Sequence, residues 1–222
     1  MEYNEFERIV RESFPEVGDT PLEQFRQMEP LYSDWNSKIN VISRKDIANL
    51  YDHHILHSLA IVRYITQNEP QTASALQEGA SVLDLGTGGG FPGIPFAIMF
   101  PKAKVTLCDS VGKKIKVAGA VAESLGLANT VTVNDRAENL PGTFDYVISR
   151  AVASLTEFYP WVRKKYSKGI FYLRGGDIAE ETGELMGRFS LPKGSVHVWS
   201  VSSWLEDPWF EGKYLVRIDK KS

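Results

Sequence analysis

Residues 82–95 read VLDLGTGGGFPGIP and mark the point at which a strand gives way to a helix. The apolar run at 82–85 is typical of a short buried strand, and it contains one acid, Asp84. Glycine has no Cβ and tolerates positive φ, so the glycine-rich turn behind this strand lets a ligand approach the backbone. In an open parallel sheet, such a turn indicates a nucleotide-like ligand beyond the carboxyl end of the strand.

Details of the turn exclude two common nucleotide sites. A nicotinamide or flavin dinucleotide loop would have its third glycine at position 91, where this chain has Phe91. A phosphate-binding loop would continue with Lys and then Ser or Thr, whereas Pro92 and Gly93 follow here. The remaining pattern, acid–x–Gly–x–Gly–x–Gly, is similar to the first motif of Rossmann-like methyltransferases. In those proteins the loop cradles the methionine part of S-adenosylmethionine (AdoMet).

The chain from residue 81 onward alternates short β-rich runs with helical ones. Such alternation predicts a doubly wound parallel sheet with right-handed crossovers and helices on both faces. The last two runs have no helix between them and predict an antiparallel return. We therefore expect an α/β, Rossmann-like methyltransferase fold with a seven-stranded, mostly parallel sheet in which one strand is reversed. The predicted strands are 81–86, 104–109, 130–135, 144–150, 169–175, 195–201 and 213–219.

Residues 1–75 are predicted to form an N-terminal helical region, and residues 76–222 the Rossmann-like domain. Apolar side chains in the first region recur at the three- and four-residue spacing of a helix face. Pro30 is expected to kink or split the second helix. A third helix is expected from about residue 44 to residue 65, and the polar stretch 66–80 is expected to be a linker.

The composition excludes several classes of protein. No apolar stretch is long enough to span a membrane, and the acidic, amphipathic start lacks the features of a signal peptide. A single cysteine, Cys108, excludes an internal disulfide and a cysteine-rich metal site. His53, His54 and His57 do not complete an HExxH pattern, so no metal site is expected. We expect a cytoplasmic monomer that binds neither a metal nor a membrane.

Positive charge is concentrated locally, although the net charge of the chain is −3. Residues 161–176 contain several Lys and Arg residues and no acid, and a second group of lysines lies at 113–116. Lys220 and Lys221 stand near the end of the chain. These groups are either solvated helix faces or contacts for the phosphates of a nucleic acid.

Polar residues at the predicted strand ends are candidates for a binding site. Asp84 suits a cationic cofactor, or it caps the turn. Asp109 ends the second strand, where a carboxylate can accept both ribose hydroxyls, or it caps the following helix. Residues 136–138 (Arg-Ala-Glu) follow the third strand, where adenine is recognised in this type of fold. Arg150 ends the fourth strand and faces the site of methyl transfer, unless it is an ordinary surface arginine.

Taken together, these motifs resemble one family, RsmG (glucose-inhibited division protein B), the 16S rRNA (guanine-N7) methyltransferases. The segments that carry the resemblance are WNSKINVIS (35–43), HHILHSL (53–59), DLGTGGGFPGIP (84–95), CDSVGKK (108–114), Arg136-Ala137-Glu138 and SRAVASL (149–155). The resemblance implies that the N-terminal helices pack over the cofactor side. It also implies AdoMet contacts by Gly86, Phe91, Ala137, Glu138 and Arg150. Gly88 is a further candidate for cofactor binding, because it belongs to the glycine-rich loop.

One departure from the family pattern follows the fifth strand. The family usually has Leu-Lys-Gly there, whereas this chain has Leu173-Arg174-Gly175. The positive charge is kept, but Arg and Lys differ in the geometry of their donors. The detailed role of the family's lysine therefore does not carry over directly to Arg174.

The motifs that are missing agree with methylation of a ring nitrogen. An exocyclic amine would require an Asn/Asp-Pro-Pro-aromatic loop after the fourth strand, where this chain has Ser149-Arg150-Ala151. Pyrimidine C5 would require a cysteine nucleophile. Guanine N7 has a free in-plane lone pair, so positioning of the base is sufficient. We expect Arg136, Arg150 and Arg174 to hold the phosphate or O6 of the target nucleotide in 16S rRNA or the small ribosomal subunit.

Two other functions remain open from the sequence. The first is an AdoMet-dependent methyltransferase that acts on another RNA site or on a small molecule. The second is a ribosome-assembly factor that keeps the cofactor pocket without catalysis. The sequence also leaves open whether Trp209, between the last two strands, belongs to the core or to a loop over RNA.

Overall fold

A computed structural model describes residues 1–43 and 46–220 of the chain. The described residues fold into eight α-helices and seven strands. The helices are α1 (Tyr3–Ser13), α2 (Asp19–Lys38), α3 (His57–Asn68), α4 (Pro70–Gln77), α5 (Gly93–Met99), α6 (Gly112–Ser124), α7 (Leu155–Val162) and α8 (Ile178–Phe189). The strands are β1 (Ser81–Leu85), β2 (Lys104–Cys108), β3 (Thr130–Val133), β4 (Phe144–Arg150), β5 (Tyr166–Gly175), β6 (Val196–Ser200) and β7 (Lys213–Asp219). Lys221 lies outside the described residues.

The strands form one sheet in the order β3-β2-β1-β4-β5-β7-β6. Strand β7 runs antiparallel to both β5 and β6, and the other neighbouring pairs are parallel. The prediction of seven strands with one reversed is therefore confirmed. The chain order reverses between β1 and β4, so the carboxyl ends of these two strands border the crevice where this fold binds ligands.

The two faces of the sheet carry separate hydrophobic clusters. Alternate residues of a strand point to opposite faces, so Val82 joins one cluster and Leu83 the other. The first cluster runs from Phe6 through the N-terminal helices and α5 to the sheet, and the second contains α7 and α8. The proposed division at residues 75 and 76 stays a prediction: α4 spans it, and apolar side chains on both sides of it share the first cluster.

Helix α2 continues through Pro30 without splitting. Proline lacks an N–H and so leaves the carbonyl four residues earlier without its usual partner. That carbonyl belongs to Arg26, and the Tyr51 hydroxyl lies 3.4 Å from its oxygen. The same hydroxyl lies 3.4 Å from Glu29 Oε2, so its single proton is shared between this carboxylate and the carbonyl that Pro30 leaves without a donor.

The predicted helix at 44–65 is only partly correct. Residues 44 and 45 lie outside the described residues, and the next two elements are a short 3-10 turn at Ile47–Asn49 and a π-helical segment at Leu50–Leu56. Helix α3 begins only at His57.

The predicted linker at 66–80 is wrong. Helix α3 continues to Asn68, and α4 follows at Pro70–Gln77. Proline at the first position of a helix loses no hydrogen bond, and the buried Leu76 anchors α4 in the first hydrophobic cluster. A single anchor among polar residues gives no periodic pattern, which is why the sequence favoured a linker. Across residues 1–43 and 46–220, no helix has the length and apolar character that crossing a bilayer requires.

Candidate functional site

The glycine loop connects β1 to α5 in a backbone conformation that favours glycine. Gly86 and Gly90 have φ angles of 70° and 114°, in the left-handed region. The N–H groups of Gly86 and Thr87 donate to the Cys108 carbonyl oxygen at 2.8 and 3.0 Å, which ties the loop to β2. A Cβ on Gly86 would collide with the side chain of Val152 from the β4–α7 loop. The absence of a side chain at Gly86 therefore allows the loop to pack closely against Val152.

Asp84 in β1 connects this strand to the end of the glycine loop. Its side chain is 0% exposed, and Oδ2 accepts the N–H of Gly93, the first residue of α5, at 2.8 Å. Burial raises the pKa of this carboxyl to about 7, against the lowering effect of the Thr87 hydroxyl and the Gly93 N–H. These contacts match the interpretation of Asp84 as a cap. Its direct contact with a cofactor stays a prediction.

An open cavity of about 400 Å³ lies beyond the carboxyl ends of β1 and β2. Its lining consists of Leu85, Gly86, Asp109, Ser110, Asp135, Arg136, Ala137, Glu138, Val152 and Trp161. Asp109 is central to its construction because each of its carboxylate oxygens accepts a backbone N–H. Oδ2 accepts the N–H of Gly88 at 2.9 Å, and Oδ1 accepts the N–H of Val111 at 2.8 Å. The Asp109 side chain therefore connects the glycine loop to the segment just before α6.

The loop after β3 forms the opposite wall of this cavity. Asp135 Oδ1 accepts the Arg136 N–H and the Asn139 side-chain amide, each at 2.7 Å, and so holds the turn at 136–139. Ala137 is buried, whereas the side chains of Arg136 and Glu138 are exposed. The ammonium of Lys165 donates to the Glu138 carbonyl oxygen at 3.2 Å, so one member of the basic stretch 161–176 braces this wall.

The other side of the glycine loop is closed by the N-terminal helices. The Tyr32 hydroxyl donates to the Gly89 carbonyl oxygen at 2.7 Å, and its ring centroid lies 4.8 Å from that of Phe91. Phe91 is only 4% exposed. Its ring faces the Arg150 guanidinium, whose Cζ lies 5.3 Å from the ring centroid. The N-terminal helices thus pack against the loop, but Phe91 lies among them and not in the lining of the described cavity.

The three candidate arginines lie in three different environments. Arg136 is on the rim of the cavity. Arg150 is partly buried; its guanidinium donates to the His53 carbonyl oxygen at 3.3 Å and to His54 Nδ1 at 3.1 Å. Arg174 is paired with Glu181, with Nε 3.0 Å and Nη2 2.5 Å from Oε1. Their joint action on one nucleotide stays a prediction.

Three residues around Arg150 and the glycine loop were not identified as site residues from the sequence. Asp46 accepts hydrogen bonds from both His53 and His54, at 2.6 and 2.8 Å. Trp209 stacks on His53 with a centroid distance of 3.9 Å and an interplanar angle of 9°. Tyr32 reaches the glycine loop from α2. Trp209 and Tyr32 contact residues that are distant in the sequence, so no local motif marks them. Asp46 stands only seven and eight residues before His53 and His54, and the 3-10 turn and the π-helical segment bring these side chains together.

The sequence matches the model of the GidB family, described as rRNA small subunit methyltransferase G, over residues 22–202. That stretch includes the glycine loop and every residue that lines the cavity. Two similar relatives carry the name ribosomal RNA small subunit methyltransferase G. The protein of Christiangramia forsetii is 41% identical over 221 residues, which cover 96% of this chain and 97% of the relative. That of Porphyromonas gingivalis is 48% identical over 182 residues, 78% of each.

Solved structures show the same architecture. Magnesium protoporphyrin IX methyltransferase (ChlM) from Synechocystis PCC 6803, with bound SAM, has a TM-score of 0.58 at 16% identity over 97% of both chains. Ribosomal protein L11 methylase from Lactobacillus delbrueckii subsp. bulgaricus has a TM-score of 0.51 at 16% identity and covers 69% of this chain and 78% of its own. Likenesses at such low identity show the fold alone, and they confirm the predicted Rossmann-like methyltransferase fold.

Proposed function

The chain belongs to the GidB family, rRNA small subunit methyltransferase G, and we propose that it transfers a methyl group from AdoMet to N7 of a guanine in 16S rRNA. The observation that carries the proposal is the cavity at the carboxyl ends of β1 and β2. That cavity joins the glycine loop, Asp109 and the 135–138 turn in one site, in a chain that shares the family's sequence over most of its length.

The residues around the cavity suit AdoMet. The volume of about 400 Å³ lies within the range of roughly 300–1,000 Å³ found for small-molecule sites. Gly86 offers backbone without a Cβ. Each oxygen of Asp109 accepts one N–H and keeps a lone pair for a ribose hydroxyl. Ala137 and Trp161 supply apolar surface for a planar base, and Glu138 stands beside them as a further acceptor.

AdoMet, when bound, supplies a methyl group on a positively charged sulfonium. The acceptor N7 of guanine already has an in-plane lone pair, so this chain needs no general base. The task of its residues is to orient the nucleotide, which can supply a large part of a rate enhancement. Arg150 at the end of β4 and Arg136 on the cavity rim are the candidates for this role. Arg174 uses Nε and Nη2 to bind Glu181, so it can join them through Nη1 or by exchanging Glu181 for the nucleotide.

The RNA should meet the protein at the rim of the cavity. Basic residues follow two parts of its lining: Lys113 lies three residues after Ser110, and Arg163 two residues after Trp161. Both Lys113 and Arg163 are exposed. The first turn of α6 contains no acid, although the positive end of a helix dipole disfavours lysines there. A phosphate backbone would offset that repulsion and make binding strongly dependent on salt.

The target guanine must be unstacked before N7 can be reached, because the deep, narrow major groove of A-form RNA hides that atom. We therefore propose a guanine in a loop, in free rRNA or in an assembling small subunit. We also propose that the protein is a monomer in the cytoplasm. Residues 1–75 form a helical region that packs against the glycine loop, and residues 76–222 form the methyltransferase domain.

Transfer of label from AdoMet tests the proposed function. The protein is incubated with methyl-labelled AdoMet and with 16S rRNA, small subunits or RNA-free cell extract. Label in 7-methylguanosine from either RNA substrate is the expected result. Label without RNA would support an enzyme with another substrate, and AdoMet binding without any label would support an assembly factor. Both of these outcomes would contradict the proposal.

Two variants test the roles of the arginines. Arg136→Ala and Arg150→Ala are expected to lower the rate of RNA methylation, whereas Arg188→Ala, on the exposed end of α8, serves as the control. Wild-type rates in both Arg136→Ala and Arg150→Ala would overturn the assignment of these residues while leaving the reaction itself unaffected.

A further inference from the structure

We infer that Asp46 is a positioning residue, which sets the orientation of Arg150 through the imidazole of His54. Asp46 lies between α2 and the 3-10 turn at Ile47–Asn49. Its importance for the reaction depends on the proposed function, because it acts through the arginine at the end of β4. The contacts themselves can be tested without any assay of methyl transfer.

The first step concerns the acceptors that surround Arg150. Its guanidinium donates to the His53 carbonyl oxygen at 3.3 Å and to His54 Nδ1 at 3.1 Å. None of the ion pairs within residues 1–43 and 46–220 includes Arg150. A guanidinium has only donors, so neutral acceptors determine its direction. The position and protonation of His54 Nδ1 therefore decide where one arm of Arg150 points.

The second step concerns the tautomer of His54. Because Arg150 can only donate, Nδ1 of His54 must be the unprotonated nitrogen. The ring proton is then on Nε2, which donates to Asp46 Oδ2 at 2.8 Å. Burial, together with the charge of Arg150, lowers the pKa of His54 to about 4, so the ring is neutral at pH 7. Asp46 thus selects the tautomer that Arg150 requires.

The third step concerns what holds Asp46. Its other oxygen, Oδ1, lies 2.6 Å from Nδ1 of His53. Burial would raise the pKa of Asp46, but hydrogen bonds from His53, Asn49 and His54 outweigh it and lower the pKa, which keeps the carboxylate ionised. His53 and His54 are consecutive residues of the π-helical segment at Leu50–Leu56. The i→i+5 bonds of a π-helix widen the turn, so neighbouring side chains diverge less and both reach one carboxylate.

The C-terminal strand pair completes the support. Trp209 stacks on the ring of His53, and Lys213 Nζ lies 3.7 Å from the centroid of the Trp209 ring. A continuous set of contacts therefore runs from Lys213 through Trp209, His53, Asp46 and His54 to Arg150. Without the carboxylate, the Nδ1–H tautomer of His54 would become available and would place a donor against the guanidinium, so Arg150 would lose this acceptor.

The imidazole nitrogens report the tautomer directly. In long-range ¹H–¹⁵N spectra of the full-length protein at pH 7, His54 is expected to show a protonated Nε2 and an unprotonated Nδ1. Asp46→Ala should convert this pattern to a mixture of tautomers. Asp46→Asn should largely restore it, because the amide oxygen can still accept from His54 while its NH₂ group donates to His53. An unchanged His54 pattern in Asp46→Ala would overturn the inference.

A matched control separates this effect from a general loss of stability. Asp145 has a side-chain exposure of 29%, against 30% for Asp46, and its carboxylate likewise accepts several hydrogen bonds. The donors to Asp145 are the backbone and hydroxyl of Ser81, whereas those to Asp46 are side chains. Asp145 lies near the other end of β4 from Arg150. Asp145→Ala is expected to leave both the His54 tautomer and the rate of methylation unchanged.

A double-mutant cycle tests the consequence for the reaction. Asp46→Ala should lower the rate of methylation of small-subunit RNA by about 10- to 100-fold, the effect of displacing a positioning group. In an Arg150→Ala background, the same change should alter the rate less than about two-fold, because the two residues act as a unit. Equal effects in both backgrounds would contradict the inference. Absence of methylation by the wild-type protein would instead contradict the proposed function, and the spectra would still decide the role of Asp46.

Discussion

On one side of the glycine loop, an open cavity of about 400 Å³ exposes backbone, Asp109 and the 135–138 turn. On the other side, Phe91 is 4% exposed and lies between Tyr32 and Arg150, under helices from the first third of the chain. The cavity side consists of residues that follow strand ends and contact a ligand-sized space. The helix side consists of side chains that contact each other over long distances in the sequence.

The glycine loop therefore contributes to both sides. Its backbone at Gly86 lines the open cavity, and its one large side chain, Phe91, packs against the N-terminal helices. Substitutions on the two sides should therefore affect different measured properties. Changes on the cavity side should act on ligand affinity, and changes on the helix side should act on stability and on the direction of Arg150.

The largest effect is expected from Phe91→Ala on the helix side. Truncation of a buried phenylalanine leaves a cavity and costs about 3–5 kcal/mol in the free energy of unfolding. Denaturant unfolding would measure this loss. Calorimetric titration with AdoMet would then show whether Phe91 also contributes to the site, as the family resemblance implies. An unchanged dissociation constant would assign Phe91 to the core alone.

The next effect is expected from Gly86→Ala on the cavity side. The new Cβ would collide with Val152 and would hold a φ of 70° that alanine disfavours. We expect AdoMet affinity to fall by about 100-fold, which corresponds to about 2.7 kcal/mol. Gly142→Ala is the matched control, because its φ is 72° and its Cβ would meet open space. Equal losses of affinity in the two variants would point to backbone strain and not to the shape of the cavity.

Asp84 in β1 accepts a hydrogen bond from the start of α5, just after the glycine loop, and should make the stability of the protein depend on pH. Its folded-state pKa of about 7 lies above the 3.8 of an exposed aspartate. The folded protein thus keeps a proton that the unfolded chain releases, and this contribution to stability is present at low pH and lost as pH rises towards 7. Asp84→Asn, which removes the titration, should gain about 2 kcal/mol relative to the wild type between pH 5 and pH 7.

Chemical denaturation at several pH values measures that gain. Asp145→Asn should show no such trend over the same range, because the pKa of Asp145 is lowered and both states are ionised there. A flat difference between Asp84→Asn and the wild type would mean that Asp84 is ionised in the folded protein.

The smallest effect is expected from Asp109→Asn. The amide oxygen can still accept one of the two backbone N–H groups, from Gly88 or Val111, but the charge and one acceptor are lost. Loss of one charge-assisted hydrogen bond should weaken AdoMet binding by about 10-fold. Titration calorimetry would measure it, with thermal unfolding as a check on stability. A larger change in stability than in affinity would make Asp109 a structural cap instead of a ligand for the cofactor.

Much of the cavity side could be predicted from the sequence. Gly86, Asp109 and Ala137 each follow a strand, and the carboxyl ends of parallel strands meet at one edge of the sheet. The structure brings these residues together in one cavity. The same reasoning did not predict the neighbours of Phe91 and Arg150. Phe91 packs against Tyr32, and Arg150 donates to His54. Their neighbours Tyr32 and His54 come from a region whose helices carry no ligand motif.

The helical region was also where secondary structure was hardest to predict. The stretch 66–80 contains α4, which has one buried leucine and therefore no clear period. The π-helical segment at Leu50–Leu56 shares the apolar pattern of an ordinary helix, and only its tertiary contacts distinguish it. In both cases, packing against other elements of the fold outweighs local propensity.

Local sequence patterns were enough to predict the sheet with its one reversed strand, the glycine loop and the acids at the strand ends. These features depend on local periodicity, on residues that tolerate special backbone angles and on the direction of parallel strands. Tertiary packing was needed to show that His54 presents Nδ1 to Arg150 and that Trp209 stacks on His53. These residues are far apart in the chain and leave no local pattern, because the hydrophobic core brings their elements together. Asp46 is close in sequence to His53 and His54, but its contact with both depends on the 3-10 turn and the π-helical segment, which the apolar pattern of an ordinary helix does not predict.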